Sequence, residues 1–295
     1  MASTLTRRSV IAGGLASALA LTLAACGGSG SSTGSSGSGE SGAVDGISVD
    51  GETTTIKVGA TPNPHVEMLQ WIQDNLAAEA GLNLDIVEIT DYQTPNTSLA
   101  DGSLAANFYQ TPNFLAQQID EKGYDFVSVA DVHIEPMGIY SATAKGIEEI
   151  ADGSSITLNN DPANTARGLK LLEAAGLITL DDSVDLPSDL DITDNPKNLK
   201  IVTVAGEQVA TTMSDANVGA VVLNGNYAID AGLTPSKDAL LLEEAEGSPY
   251  VNQLVVRTAD KDNEALTTLA GLMTSPELSA WISERWTDGS VIAAF

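Results

Sequence analysis

The stretch Ser155–Gly176, SITLNNDPANTARGLKLLEAAG, decides the fold class. Ser155 to Asn159 reads as a short strand. Asp161 then stands where a helix cap is needed, and Pro162 occupies the first helical position. The helical pattern runs to Ala175 and stops at Gly176, giving one strand–helix unit. The same grammar recurs on both sides. Thr54 to Ala60 reads as a strand, and His65 to Ala80 as a helix with Val66, Leu69, Ile72 and Leu76 on one face and Gly81 as its stop. Leu82 to Ile89 is a second strand, followed by a helix start with Thr94 as cap and Pro95 at the first position. Phe126–Ala130, Met137–Ala142, Leu199–Val204, Val218–Leu223 and Gln253–Thr258 are further strands. Two helices, near 262–273 and 276–286, close the chain. Strands alternating with helices predict an α/β protein with largely parallel sheets. Two groups of elements predict two lobes with a cleft between them.

Composition bounds the function. The chain has 295 residues, of which 43% are hydrophobic and 18% charged, enough for a real core. It carries 40 Asp and Glu against 13 Lys and Arg, a formal charge of -27. No nucleic acid is expected as a partner, because phosphate contacts need clustered cations. One cysteine excludes an internal disulfide and a cysteine-rich zinc site. Two histidines, His65 and His133, make a histidine metal centre improbable, so no metal is expected.

The N-terminus reads as an address. Arg7-Arg8, an apolar run from Val10 to Ala25 and no acidic residue describe an export signal over 1–25. The adjacent arginines also permit twin-arginine export. Leu23-Ala24-Ala25-Cys26 resembles a bacterial lipobox, which makes the lone Cys26 a lipidation site. The Gly/Ser-rich segment 26–52 reads as a flexible tether. Glycine spacings within it follow no strand, so they give no phosphate loop. No cofactor is expected.

Catalytic patterns are weak. No Gly-x-Ser-x-Gly elbow occurs, and paired carboxylates carry little information in so acidic a chain. Arginine is scarcer: past the signal there are Arg167, Arg257 and Arg285, with Arg285 expected at the surface. Arg167 sits three residues after Asn164, on the same face of the helix that Asp161 and Pro162 begin. A guanidinium fork with an amide beside it suits a carboxylate. Pairing with a surface acid explains Arg167 equally well on local grounds. Asp91–Asn96, Asn107–Gln110, Asn224–Tyr227 and Ser248–Asn252 are rich in Asn and aromatics. They suit a pocket with aromatic walls and amide donors, or ordinary core packing and turns.

From Ile56 to the C-terminus the chain resembles the NlpA-type substrate-binding lipoproteins, the methionine-binding components of ABC importers. The resemblance rests on several segments in order. They are Val58-Gly59-Ala60-Thr61-Pro62 with Pro64-His65, Asp91-Tyr92 with Pro95-Asn96, and Ala106-Asn107-Phe108. Next come Glu135-Pro136-Met137-Gly138-Ile139-Tyr140 and Asn160-Asp161-Pro162 with Asn164 and Arg167. Asn195–Lys200, Asn224–Ala228 and Ser248-Pro249-Tyr250 complete the set. The resemblance implies a two-lobed, type II periplasmic-binding-protein-like α/β fold with crossover strands. Lobe 1 would comprise 53–140 and 249–295, and lobe 2 would comprise 141–248. It implies methionine or a related amino acid held in the cleft by an exported protein, lipid-anchored to the outer face of the cell membrane or the periplasmic side of a membrane, and passed to an ABC permease and its ATPase subunit. By position, Arg167 would clamp the ligand carboxylate with Asn164 nearby. Asn224 and Asn252 would hold its polar end, and Tyr92, Phe108 and Tyr109 would wall the side-chain pocket. His65 falls in a matching motif. The chain departs from the family pattern at Thr111, where a histidine is usual, and at Val209–Thr212, where a Pro-Arg-Ser stretch is usual. Another small amino acid or a dipeptide is the alternative ligand. A surface hydrolase working through His65 or His133 is the alternative from another class.

Overall fold

The structure is a computed structural model that describes residues 44–295. The expected signal over 1–25, Cys26 and most of the expected tether lie outside the described residues. No helix among the described residues is long and apolar enough to cross a membrane.

The strands, in chain order, are β1 (Ile47–Asp50), β2 (Thr53–Ala60), β3 (Leu82–Glu88), β4 (Ala106–Gln110) and β5 (Phe126–Ile134), then β6 (Gly138–Tyr140) and β7 (Ser155–Asn159). After them come β8 (Thr179–Leu180), β9 (Ile192–Asp194), β10 (Lys200–Val204), β11 (Val218–Leu223), β12 (Leu241–Leu242), β13 (Val251–Arg257) and β14 (Ile292–Ala293). The helices are α1 (Glu67–Ile72), α2 (Thr94–Ala100), α3 (Pro112–Lys122), α4 (Pro162–Ala174), α5 (Gly206–Val209), α6 (Gly225–Asp230), α7 (Pro235–Asp238), α8 (Glu264–Met273) and α9 (Pro276–Arg285). Wider helical turns at Pro62–Val66 and Gln73–Ala77 extend α1 at both ends.

Two sheets organise two lobes. The first runs β1-β2-β4-β13-β5-β14, with β3 on the far side of β2. Its core packs Ile56, Val58, Leu254 and Val256 against Met68, Leu69 and Ile72 of α1, and against Leu266, Leu269, Leu278 and Ile282 of the closing helices. The second sheet runs β10-β7-β11-β6-β12 and buries Ile139, Ile156, Leu158 and Val222 with Leu169 and Leu172 of α4. Each such side chain contributes about 1.5–3 kcal/mol when removed from water. The chain leaves the first sheet after Ile134 and re-enters it at Val251, so Glu135 and Asn252 lie at the two crossings.

Both sheets are mixed, which corrects the expectation of largely parallel ones. β2 with β3 and β4, and β7 with β10 and β11, are parallel. β13 is antiparallel to both β4 and β5, and β6 is antiparallel to β11 and β12. The reason is topological: β5 carries the chain out of the first lobe and β13 brings it back, so these neighbours run in opposite directions. Two smaller corrections concern borders. Ile47–Asp50 pairs with Thr53–Ile56 and belongs to the first sheet, not to the tether. Gly138–Tyr140 belongs to the second sheet, because Pro136 ends the preceding strand and Ile139 packs into the second core.

Helix α4 starts as its sequence predicts. Asp161 accepts a hydrogen bond from the Asn164 backbone N–H at 2.8 Å, Pro162 stands in the first turn, and Gly176 takes a left-handed φ of +71° just past the end. The start of α2 differs. Asp91 Oδ1 accepts from the backbone N–H groups of Gln93 and Thr94, both at 2.7 Å, so Asp91 does the capping assigned to Thr94. β4 and α3 carry no element in the sequence reading. All five residues of β4 are buried, so no alternation marks it.

Candidate ligand-binding site

A small hollow of about 20 Å³ lies where the lobes meet. The first lobe contributes Tyr92, Tyr109, Gln110, Thr111 and Phe114. The second contributes Asn164, Arg167, Asn224, Gly225 and Asn226, and the crossings contribute Glu135 and Asn252. That is about the room one water molecule needs.

One end is aromatic. The rings of Tyr92, Tyr109 and Phe114 stand 5.7–5.9 Å apart, centroid to centroid. Their polar handles are engaged: the Tyr109 hydroxyl donates to the Tyr92 carbonyl at 3.0 Å, and the Tyr92 hydroxyl donates to Asn226 Oδ1. Gln110 donates to Asn96 and Asn107 and accepts from Asn96. The Thr111 hydroxyl donates to Asn113 Oδ1 at 2.7 Å. This end therefore offers a ligand surface and polarizability but no free donor.

The other end is charged. Arg167, on α4, is 4% exposed. Its Nε donates to Glu243 Oε1 at 2.8 Å, and its Nη2 donates to Glu243 Oε2 and to the Glu135 carbonyl. The Tyr250 ring lies against the guanidinium, 4.1 Å from Cζ to the centroid. Nη1 makes no hydrogen bond among the described residues. The amides form a chain. Asn164 Nδ2 donates to both oxygens of Asp161, and Asn164 Oδ1 accepts from Asn224 Nδ2 at 2.7 Å. Asn164 thus orients Asn224 and leaves Asn224 Oδ1 as an acceptor.

Behind this end lies a buried acid–imidazole cluster. His133 Nε2 lies 2.6 Å from Glu135 Oε1, and His65 Nε2 lies 3.3 Å from the same oxygen. His65 Nε2 is also 3.0 Å from Asn252 Oδ1, and its Nδ1 is 2.8 Å from the Thr61 hydroxyl. Burial pushes His65 down to about 4, against the pull of Glu135, and pushes His133 down to about 3. Both imidazoles are therefore neutral and donate through Nε2–H. Burial raises the Glu135 carboxyl, opposed by His65, Arg167 and the Asn226 backbone N–H. Gly225 permits this closeness: a Cβ there would sit 2.6 Å from Glu135 Cβ.

His65, His133 and Glu135 are also the one group among the described residues with three metal-ligating side chains close together. Their geometry fits hydrogen bonding better than coordination. The 2.6 Å between His133 Nε2 and Glu135 Oε1 is a donor–acceptor distance, shorter than two ligands about 2.0–2.1 Å from a shared tetrahedral ion would stand. His133 Nδ1 also lacks the outer partner that a ligating histidine usually has.

Of the residues named from sequence, Tyr92, Tyr109, Asn164, Arg167, Asn224 and Asn252 line the hollow. Phe108 and His65 do not. Phe108 is buried in the first core with its ring 4.7 Å from that of His65, and His65 backs Asn252. Glu135, Phe114, Asn226, Gly225 and Gln110 are not among the site residues read from sequence, although Glu135 and Asn226 stand in motifs already noted, and Thr111, the departure from the family pattern that bears on the pocket, lines the hollow. Val209, at the other departure from the family pattern, packs among Tyr140, Val221 and Leu223 outside the lining. Arg257 ties the carbonyls of Asp45, Leu99 and Leu104 to Asp260, and the half-exposed Arg285 pairs with Glu67.

Comparison with known proteins gives one consistent result. The model of a family described as NlpA lipoprotein matches residues 56–295. A D-methionine-binding lipoprotein MetQ from Salmonella typhi is 38% identical over 237 residues, covering 80% of this chain and 87% of that protein. A nutrient-binding protein from Burkholderia cenocepacia, solved bound to methionine, is 37% identical with a TM-score of 0.78, covering 81% of this chain and 100% of that one. A periplasmic substrate-binding protein of an ABC transporter from Coxiella burnetii is 36% identical with a TM-score of 0.76, again over 81% and 100% of the two chains.

Proposed function

The chain belongs to the NlpA lipoprotein family, and we propose that it is the substrate-binding protein of an ABC importer and holds methionine between its lobes. The observation that carries this reading is the pairing of opposite charges at one end of a small aromatic hollow. Arg167 Nη1 faces a ligand carboxylate. The Glu135 carboxylate and Asn224 Oδ1 face its ammonium. The carboxylate is kept as an acceptor by the neutral His133 imidazole that donates to it. The aromatic end then selects the side chain. With no free donor there, a side chain carrying a strong acceptor leaves that acceptor unpaired, whereas a thioether packs well against rings.

His65 is a positioning residue in this scheme, turning the Asn252 amide so that its Oδ1 is engaged and its Nδ2 is available. Phe108 supports the floor behind it. No catalysis is needed: closure of the lobes around the ligand is the signal to the permease and its ATPase. The export signal and Cys26 support a location outside the cell membrane on a lipid anchor. A hydrolase reading finds little support, since the hydroxyl next to His65 belongs to Thr61, which is fully buried and outside the lining.

Calorimetry on protein stripped of bound ligand tests the reading, with L- and D-methionine titrated separately. Heat with either enantiomer is expected. Silence with both removes methionine, and the mass of whatever is released on denaturation then tells whether another amino acid or a dipeptide takes its place.

A further inference from the structure

We propose that Asn226 binds the ligand carboxylate through Nδ2 and is held in position by the Tyr92 hydroxyl from the opposite lobe; this rests on the amino-acid-binding reading above. Asn226 is 2% exposed and lines the hollow, yet its Nδ2 has no hydrogen-bond partner. A buried amide donor without an acceptor is unfavourable, and such groups in folded proteins normally find a partner. The partner has to come from the ligand. Methionine offers two carboxylate oxygens as strong acceptors, an ammonium that accepts nothing and a sulfur that accepts weakly. The free donor therefore belongs to the carboxylate.

The neighbouring amide cannot take this role. Asn164 has its Nδ2 on Asp161 and its Oδ1 on Asn224, so it acts through Asn224. Asn226 differs because only its oxygen is engaged, and the group engaging it is Tyr92. That bond fixes which end of the amide faces inward, so Tyr92 is a positioning residue as well as a wall. The Tyr92 ring also stacks on Tyr227, at 4.8 Å and 28°, which keeps the hydroxyl on Asn226.

The test is calorimetry on the full exported chain with two probes, methionine and methionine amide, which lacks the carboxylate. The proteins are the wild type, Asn226→Ala and Tyr92→Phe, each checked for an unchanged melting profile with ligand absent. Removing a donor to a charged acceptor is expected to weaken methionine by roughly 10- to 100-fold in Asn226→Ala, and losing its orienting bond by about 3- to 10-fold in Tyr92→Phe. Methionine amide should lose less than about threefold in both, since the contact removed is with the carboxylate. Wild-type-like methionine binding in Asn226→Ala overturns the assignment, and so does an equal loss for both probes, which is the mark of a merely structural residue. Should Asn226→Ala fold poorly, the near-isosteric Asn226→Asp serves: it keeps the oxygen for Tyr92, replaces the donor, and has to lose methionine at least as strongly. Wild type that binds no methionine defeats the functional reading itself, an outcome visible before any variant is made.

Discussion

Glu243 holds Arg167 along one edge of its guanidinium, through Nε and Nη2, and leaves Nη1 without a hydrogen-bond partner among the described residues. The pair is nearly dry, with the Arg167 side chain 3% and the Glu243 side chain 13% exposed. A cation so placed is a structural part and, in the proposed function, a ligand contact as well.

Arg167→Ala should weaken methionine by about 2–5 kcal/mol, the cost of truncating one partner of a buried charge pair. It should also lower the melting temperature, because Glu243 keeps a buried charge with no counterion. Arg167→Lys retains the charge and loses the fork, so it should fall between the two. Calorimetry and thermal melts on the same preparations check both halves; an Arg167→Ala protein that binds normally would remove the charge-pair reading.

Glu135→Gln keeps the shape and loses the negative charge opposite the ligand ammonium. Methionine binding should weaken by about 1.5–3 kcal/mol, as for a lost hydrogen bond to a charged group. The desamino analogue, which has no ammonium, should bind the variant and the wild type about equally. A uniform loss for both ligands would mean that Glu135 acts only on the fold.

The two buried imidazoles make stability depend on pH. Their folded values, about 4 for His65 and about 3 for His133, lie below the ordinary 6.5. As pH falls below about 6.5 the unfolded chain takes up protons that the folded chain refuses. Stability is therefore lost on acidification between about 6.5 and 4, by on the order of a few kcal/mol for the pair. Glu135, raised by burial, acts in the opposite sense over its own titration. Melts at steps from pH 7 to 4 should show a flatter decline in His133→Gln than in the wild type, and parallel curves would count against this account.

Gly225→Ala should cost about 1–3 kcal/mol of stability, as overpacking does, because the new methyl would meet Glu135 Cβ. The same displacement moves Glu135 away from the ligand, so affinity should fall with stability. Chemical unfolding with and without methionine separates the two effects.

Methionine sulfoxide should bind at least about tenfold more weakly than methionine, since its oxygen finds no free donor among Tyr92, Tyr109, Gln110 and Thr111. Competition between the two ligands is enough to measure it.

Local physics made part of the molecule readable. Asp161, Pro162 and Gly176 mark the ends of α4 because caps and breakers act on their nearest neighbours. The same reasoning misplaced the cap of α2, where Asp91 competes successfully with Thr94 from three residues away. β4 was silent because a strand buried on both faces has no alternation to show. The site divided along similar lines. Arg167 stood out because arginine is scarce, and the aromatic walls came from the family resemblance. Glu135 did not stand out, since one acid among 40 is unremarkable until burial and two histidines single it out. Asn164 and Asn226 could not be told apart by sequence either. Which amide is free depends on partners 60 and 134 residues away.

Three contacts tie the lobes together: Tyr92 to Asn226, Tyr227 to the Thr90 carbonyl, and Asn63 to Asp230. A captured molecule cannot leave by loosening its own grip alone, because those ties have to break as well. The time it stays aboard is then governed by how often the two halves part, and unloading becomes a matter of prising them open.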